Sequence, residues 1–224
     1  MIRVLVADDH PVVRRGVMQV LAEEPDMEIV GEADSAAEVL RQVRKSSWDV
    51  LLLDIAMPGR SGLDVLGELK KLRPKLPVLV LSMHPEDQFG IRVLRAGAAG
   101  YMTKETVSAE LATAIRRIFS GKKYISANLA ERLASDLENG QERPVHEMLS
   151  DREFQVMQMI SSGKMIKEIA AELTLSIKTI STYRTRILRK LKIQTNAELT
   201  IFALDHQLIT PVPSPMELKD DTRN

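Results

Sequence analysis

The sequence predicts an α/β domain with a parallel five-stranded sheet, followed by a smaller all-helical domain. Up to about residue 120, a short apolar run alternates five times with an amphipathic helical segment, which is typical of a parallel sheet covered by helices on both faces. From Leu149 onward the apolar positions recur only at helical spacing. The 224 residues suffice for two such domains, and the 44% of hydrophobic residues suffice to fill their cores.

The five candidate strands are, in chain order, IRVLVA, MEIVGEA, DVLLLD, PVLVLS and GYMTK. Because helical segments separate them, we expect parallel strands, and for their arrangement we assume the doubly wound order 2-1-3-4-5. Two helix starts are predicted from capping residues: Ser35 with Glu38 forms a capping box, and Ser108 caps the fifth helix with Glu110 in its first turn. We place this domain at residues 1–120.

Residues 121–147 form the predicted linker. The segment LAERLASDL has helical spacing, so part of the linker either packs as an extra helix or remains a loose connection, as Asn139-Gly140 and Pro144 favour. Beyond residue 209 the chain is rich in proline and charge, and we expect residues 210–224 to be a disordered tail.

Residues 148–209 carry the signals of four helices. Leu149 and Phe154 are spaced for a hydrophobic staple around the first helix start, and Gly163 ends that helix. The short helix KEIAAEL, a three-residue turn and a longer basic helix ending near Leu191 follow. Capping residues mark three of the helix starts, namely Ser150 with Glu153, Ser176, and Thr195 with Glu198. The fourth helix has an apolar stripe that consists of Ala197, Ile201, Leu204 and Leu208.

Composition narrows the classes of function. The absence of cysteine excludes disulfides, thiolate metal sites and cysteine nucleophiles, and the four histidines lack metal-ligand spacing. No apolar run approaches the roughly 18 residues of a membrane helix, and the amino terminus reaches Asp8 too soon for a signal-peptide core. We therefore expect a cytoplasmic protein. The net charge of zero conceals a stretch, residues 178–192, that is basic and has no acidic residue, so it suits a polyanion.

Polar residues follow four of the candidate strands. Asp8 and Asp9 follow the first, Asp54 ends the third in LLLDIAMPGRSG, and Ser82 and Lys104 end the fourth and fifth. The first and third strands are neighbours in the expected order, so the carboxylates of Asp8, Asp9 and Asp54 should lie close together. Because like charges repel one another, such a cluster favours a bound cation, and a small dication that prefers oxygen ligands, such as Mg²⁺, is suitable. A carboxylate beside Mg²⁺ is a nucleophile for phosphorus, and Asp54 is the best candidate. In isolation, each of these residues is more typical of a turn, a helix cap or a solvated surface, but their coincidence at four strand ends favours a functional site.

Taken together, these positions and Tyr101 in GAAGYMTKE resemble the receiver domain of two-component response regulators, over residues 1 to about 120. The resemblance implies a flavodoxin-like (βα)₅ fold and Asp54 as the phosphoacceptor. It further implies that Asp9, Asp54 and the Ala56 carbonyl ligate Mg²⁺, with Asp8 acting through water. Ser82 and Tyr101 would form a switch pair, with Tyr101 turning inward, and Lys104 would hold the phosphoryl group. We assign no chemistry to His10.

The segment IKEIAAELTLSIKTISTYRTRILRKL predicts a helix, a turn and a second, basic helix. That is the arrangement of a helix-turn-helix, whose second helix lies in the major groove of DNA. We expect the apolar positions to pack inward, namely Ile177, Ile180, Ile187, Leu188 and Leu191. The polar positions that should face outward are Ser181, Thr182, Arg184 and Thr185. A basic amphipathic helix alone would equally suit a solvated or membrane-surface helix, but the preceding helix and turn disfavour both.

Residues 149 to about 208 resemble the LuxR-type four-helix domain in LSDREFQVMQMISSGK, in KEIAAELTLSIKTISTYRTRILRKLKI and in TNAEL. The resemblance implies that Lys178 and Thr179 hold the DNA backbone, that Ser181, Thr182 and Thr185 contact bases, and that the fourth helix is a dimer surface. Lys164 and Lys167 would add phosphate contacts. The whole chain thus resembles the NarL/FixJ class of response regulators, and the segments REFQVMQMI and STYR resemble its GacA/UvrY branch.

The expected function is transcription control by phosphorylation of Asp54. The implied partners are a sensor histidine kinase or phosphotransfer protein, double-stranded DNA and a second copy of the chain, with no membrane. One rival is a hydrolase that uses an aspartyl phosphate, but such an enzyme needs an acid/base Asp where Ala56 stands. A regulator whose receiver is purely structural is the other rival.

Overall fold

The computed structural model describes residues 1–57, 62–83, 85–138, 145–206 and 208–209. Asn139-Gly140 and Pro144 of the predicted linker, and the predicted tail of residues 210–224, lie outside the described residues. The chain divides into two compact units, residues 1–142 and 143–224. Among the described residues, no helix is both long and apolar enough to cross a membrane.

The first unit is a parallel five-stranded sheet in the order β2-β1-β3-β4-β5, as predicted. Its strands are β1 (Ile2–Ala7), β2 (Met27–Ala33), β3 (Val50–Asp54), β4 (Val78–Ser82) and β5 (Gly100–Thr103). Helices alternate with them: α1 (Pro11–Ala22), α2 (Ala36–Lys45), α3 (Gly62–Leu72), α4 (Glu86–Arg95) and α5 (Val107–Phe119). The strand predictions from the apolar runs agree with these bounds to within one residue.

The central strand β3 positions the polar residues of the sheet edge. All five of its residues are buried, and it pairs with β1 on one side and β4 on the other. The register places Leu53 beside Ala7 and Asp54 beside Leu81, so the residues that follow β1 and the last residue of β3 meet at one edge. Gly62 allows α3 to begin close to this edge, because a Cβ at that position would lie 2.6 Å from the carbonyl oxygen of Asp54.

Two of the predicted helix caps are wrong. Ser35 is the N-cap of α2, but its side chain makes no capping hydrogen bond, so it forms no capping box with Glu38. The Glu38 carboxylate instead pairs with Arg41, one turn further along the helix. The fifth helix begins at Val107 with Thr106 as N-cap, which places Ser108 inside the helix.

Part of the predicted linker is a helix, α6 (Ala127–Glu138), and it belongs to the first unit. Leu129 of α6 is buried and packs on Gly90 of α4, where an added Cβ would lie 2.8 Å from Leu129 Cδ2. Upstream of α6, the backbone N–H of Tyr101 donates to the carbonyl of Tyr124, which extends the sheet beyond β5 by one bridge. Of the two alternatives for LAERLASDL, the packed helix is the one found.

The second unit contains a short 3₁₀ helix (Val145–Met148) followed by α7 (Asp151–Ser161), α8 (Ile166–Glu172), α9 (Ile177–Leu191) and α10 (Asn196–Asp205). The capping box of Ser150 and Glu153 is present, and the side chains of Ser176 and Thr195 accept capping hydrogen bonds as predicted. Gly163 follows α7 with φ of 87°, a left-handed conformation that favours glycine at a helix end.

Two apolar positions of this unit differ from the prediction. In α9, Ile180, Ile187, Leu188 and Leu191 are buried, but Ile177, at the amino-terminal end of the helix, is 58% exposed. Leu208 lies after the end of α10 and is buried, with its carbonyl accepting from Gln158 of α7. It therefore does not continue the stripe of Ala197, Ile201 and Leu204, which are all exposed.

Candidate metal centre and nucleic-acid interface

An acidic cluster lies at the carboxyl edge of the sheet in the first unit. Asp8, Asp9, His10 and Asp54 each offer one ligand atom, and these atoms all lie within 4.8 Å of one another. Asp54 and Asp8 are fully buried, at 0% and 1% exposure, whereas Asp9 is partly exposed. The three carboxylates predicted to converge are therefore together in the structure.

Both carboxylate oxygens of Asp54 accept hydrogen bonds. Its Oδ1 accepts a hydrogen bond of 2.9 Å from the backbone N–H of Ala56, and Lys104 Nζ donates to its Oδ2 at 2.9 Å. Burial raises the pKa of Asp54 above its ordinary value; the charge of Lys104 opposes this shift and that of Asp8 adds to it. The ionised carboxylate is thus less stable here than in water, and a cation would stabilise it.

Lys104 joins two of the carboxylates. Its Nζ lies 2.7 Å from Asp8 Oδ2 as well as 2.9 Å from Asp54 Oδ2, and its side chain is only 7% exposed. Its backbone N–H donates to the carbonyl of Ser82, which fixes the loop after β5 beside the end of β4. Burial acts to lower the pKa of Lys104, but the two carboxylates outweigh it and the pKa is raised. Lys104 is therefore a charged ammonium inside the cluster.

His10 has no predicted chemical role, yet it contacts the cluster. Its Nδ1 lies 2.8 Å from Asp9 Oδ1 and 3.2 Å from Asp8 Oδ1, and its backbone N–H donates to Asp8 Oδ1. In the sequence, the signal for this contact is the position of His10 directly after Asp8 and Asp9. The donor set of three carboxylates within a few ångströms suits a hard dication, and Mg²⁺ in particular prefers such oxygen ligands.

Ser82 and Tyr101 lie on the neighbouring strands β4 and β5. Ser82 ends β4 and is fully buried, and it pairs with Thr103 in the ladder to β5. Tyr101 is 1% exposed, so its ring is already inside the protein. Because its N–H donates to the carbonyl of Tyr124, the segment before α6 is directly attached to the strand that carries Tyr101.

In the second unit, α8, the four residues 173–176 and α9 form the predicted helix-turn-helix. Ser176 caps α9 by accepting from the N–H of Thr179 at 3.0 Å. Along α9, Lys178, Ser181, Thr182 and Thr185 are exposed, while Thr179 is half-buried. All the polar residues expected to face DNA in the first half of the helix are therefore accessible or partly so.

Three cations of this unit differ in their contacts. Lys164 Nζ lies 2.5 Å from Glu172 of α8, so it is ion-paired, whereas Lys167 is exposed on the first half of α8. Arg184 is half-buried and its Nε donates to Asn196 Oδ1 at 2.7 Å, which ties α9 to the start of α10. Arg184 was predicted to face outward, but its side chain is half-buried and hydrogen-bonded to Asn196 within the unit.

Family models match both units. The description "Response regulator receiver domain" matches residues 4–116, and "Bacterial regulatory proteins, luxR family" matches residues 147–203. Among similar proteins, Response regulator GacA of Pseudomonas viridiflava is 41% identical over 210 residues, which cover 93% of this chain and 98% of the relative. Response regulator UvrY of Escherichia coli strain K12 is 36% identical over 209 residues, covering 93% and 96%.

Solved structures agree with this result. The RcsB response regulator of Salmonella typhimurium is 25% identical and superposes with a TM-score of 0.64 over 92% of this chain and 98% of that chain. RcsB of Salmonella enterica serovar Typhimurium, bound to promoter rprA in the presence of the phosphomimetic BeF3−, gives a TM-score of 0.59 at 26% identity over 90% and 98%.

The matches confirm the resemblance to the GacA/UvrY branch and account for both the acidic cluster and the helix-turn-helix. The chain belongs to the NarL/FixJ class of two-component response regulators, DNA-binding proteins in which a receiver domain is joined to a LuxR-type helix-turn-helix domain.

Proposed function

We propose that this response regulator controls transcription through Mg²⁺-dependent phosphorylation of Asp54. The observation that carries the proposal is the position of Asp54, fully buried at the end of β3, with Asp8 and Asp9 beside it and Lys104 Nζ 2.9 Å from its Oδ2. An aspartate that merely capped a turn would need neither two further carboxylates nor a buried lysine.

In the proposed step, a carboxylate oxygen of Asp54 attacks the phosphorus of the donor and forms an O–P bond. With the phosphohistidine of a sensor kinase or phosphotransfer protein, the P–N bond breaks and the imidazole nitrogen keeps the electron pair. With acetyl phosphate, acetate leaves instead. Lys104 offsets part of the charge of about −1.5 to −2 that the phosphoryl group carries. Slow hydrolysis by water then restores Asp54, so the chain acts as a switch and not as an enzyme on external substrates.

Asp9 and Asp54 are the proposed side-chain ligands of Mg²⁺, together with the backbone carbonyl of Ala56, while Asp8 acts through a water molecule. Mg²⁺ in this position neutralises charge on the oxygens of the phosphoryl group. The position of Ala56 supports this ligand set, because its N–H already donates to Asp54 Oδ1. His10 is left out, since Mg²⁺ prefers oxygen to imidazole nitrogen.

Ser82 and Tyr101 are the proposed switch pair. The Ser82 hydroxyl would donate to a phosphoryl oxygen, and the resulting shift at the end of β4 would repack Tyr101 on β5. The backbone hydrogen bond from the N–H of Tyr101 to the carbonyl of Tyr124 connects β5 with the segment before α6, so the repacking could reach the linker, residues 121–147. In this proposal the receiver comprises residues 1–120 and the DNA-binding domain residues 148–209.

The proposed DNA interface is the exposed side of α9, placed in the major groove. Lys178 and Thr179 would hold the phosphate backbone, with further phosphate contacts from Lys164, Lys167 and Arg184; the proposed base contacts are Ser181, Thr182 and Thr185. Ala197, Ile201 and Leu204 form an exposed apolar stripe on α10, and this stripe is the proposed surface of a homodimer. Leu208, predicted for the same surface, is left out because it is buried. Because the chain binds DNA, we place it in the cytoplasm.

The test is DNA affinity with and without phosphorylation. Duplexes are selected from a random-sequence library with full-length protein treated with acetyl phosphate and Mg²⁺, and affinity for an enriched duplex is measured by fluorescence anisotropy. We expect treatment to increase the affinity of wild type and to leave that of Asp54→Asn unchanged. Equal affinity of treated and untreated wild type would favour the rival in which the receiver is only structural.

A further inference from the structure

Ile177 is an exposed apolar residue within a polar and basic surface. It is 58% exposed, although Ile180 and Ile187 of the same helix are fully buried. It is the first residue of α9, the end of a recognition helix whose side chains reach base edges in the major groove. Because the Ile177 side chain is largely exposed to water, it buries little apolar surface against the described residues and contributes little to the stability of the fold.

The hydroxyl groups near Ile177 on α9 already donate hydrogen bonds within the helix. The Oγ of Ser181 donates to the carbonyl of Ile177 at 2.9 Å, Thr182 Oγ1 donates to Lys178 at 2.9 Å, and Thr185 Oγ1 donates to Ser181 at 3.0 Å. Each hydroxyl has one hydrogen and two lone pairs, so these oxygens are available to DNA as hydrogen-bond acceptors. Acceptors select the amino groups of adenine N6 or cytosine N4 in the major groove.

The combination of an acceptor and an apolar side chain matches one base pair in particular. An A·T pair presents both the adenine N6 donor and the thymine C5 methyl in the major groove, separated by the thymine O4, whereas a G·C pair has no methyl group. Ile177 and Ser181 are four residues apart, so they are neighbours on one face of α9. Their spacing lets one contact a methyl group while the other accepts from an amino group nearby.

We propose that Ile177 is a specificity-determining residue that packs on the C5 methyl of a thymine, next to an adenine contacted by Ser181. This inference rests on the DNA-binding function proposed above and adds to it a preference for an A·T pair facing the first turn of α9. The surrounding charge fits the same ligand, because residues 178–192 contain no acidic residue that would repel phosphates.

Deoxyuridine provides the test, because it differs from thymidine only in lacking the methyl group. The duplex enriched with full-length wild type is resynthesised with deoxyuridine at each thymine in turn, and the affinities of wild type and Ile177→Ala are compared. A buried methyl contributes about 0.8 kcal/mol, which corresponds to about fourfold in affinity. We expect wild type to lose about fourfold at one thymine in each half-site, and Ile177→Ala to lose nothing at that position.

Ile201→Ala is the matched control, since Ile201 is 59% exposed on α10. A change at the proposed dimer stripe alters the affinity for thymine and uracil duplexes equally, so this variant should keep the fourfold difference. A uracil effect of equal size in Ile177→Ala and wild type, or none at any thymine, would overturn the inference while leaving DNA binding intact. Failure of the library to yield any enriched sequence would instead refute the proposed function itself.

Discussion

Replacing Lys104 with methionine removes the cation that lies between Asp8 and Asp54. The three groups are buried, with the lysine side chain 7% exposed and the aspartates at 0 and 1%. Methionine retains the apolar length of the lysine stem but leaves two buried carboxylates facing each other. We therefore expect Lys104→Met to destabilise the first unit in the absence of Mg²⁺.

The distances give the size of the effect. At 2.7 and 2.9 Å and an effective dielectric constant of about 20, each attraction is worth about 6 kcal/mol. The desolvation of a buried ion, several kcal/mol, offsets much of this sum, and measured losses after removing one partner of a buried pair are about 3–5 kcal/mol. Because Asp8 and Asp54 also repel each other, neutralising Asp54 should relieve part of the loss.

Urea unfolding followed by tryptophan fluorescence measures this loss in the full chain. Trp48 is the only tryptophan and lies in the first unit, so its signal reports that unit alone. We expect a loss of about 3 kcal/mol for Lys104→Met, a smaller loss when the same change is made in Asp54→Asn, and no loss for Lys122→Met, an exposed lysine of the same unit. A loss below about 1 kcal/mol in Lys104→Met would refute the coupling described here.

Three further predictions test other contacts. Burial raises the pKa of Asp54, so the ionised carboxylate lowers the stability of the first unit near neutral pH. In the absence of Mg²⁺, Asp54→Asn should therefore raise the urea concentration at the midpoint of the Trp48 fluorescence transition. A lower midpoint would contradict the direction of the pKa shift. In the second unit, burial acts to raise the pKa of Glu153, but hydrogen bonds from Lys190 and from Ser150 outweigh it and the pKa is lowered. The stability from Glu153 is thus present above its ordinary pKa of 4.5 and lost as pH falls through its lower folded value. The Tm difference between wild type and Glu153→Gln in circular dichroism melts should shrink below pH 4.5; a difference independent of pH would exclude this role. Lys178→Ala should reduce the slope of log affinity for DNA against log salt concentration by about 0.9, the value for one lost phosphate contact. Lys122→Ala is the control. An unchanged slope in Lys178→Ala would show that Lys178 does not contact a phosphate.

The sheet and its acidic cluster were predictable because they depend on strong, local signals. Each strand is an apolar run bounded by polar residues, and in a parallel sheet the carboxyl ends of strands share one edge. The approach of Asp8, Asp9 and Asp54 to one another follows from strand order alone. The capping box at Ser150 and the side-chain cap at Thr195 were likewise local enough to be predicted from four residues.

The errors arise where the outcome depends on contacts between elements. Periodicity places Ile177 on the apolar face of α9, but burial also depends on what packs against that face, and Ile177, the first residue of the helix, is 58% exposed. Leu208 matches the α10 stripe in spacing, yet the helix ends at Asp205 and the chain turns back onto α7.

The most direct test of the central claim is the intact mass of the full-length protein after incubation with acetyl phosphate and Mg²⁺, compared with Asp54→Asn. The proposal predicts the gain of one phosphoryl group in wild type, lost on addition of EDTA before the donor, and no gain in Asp54→Asn. Equal labelling of both proteins would show that Asp54 is not the acceptor, and a folded wild type that gains no mass would contradict regulation by phosphorylation.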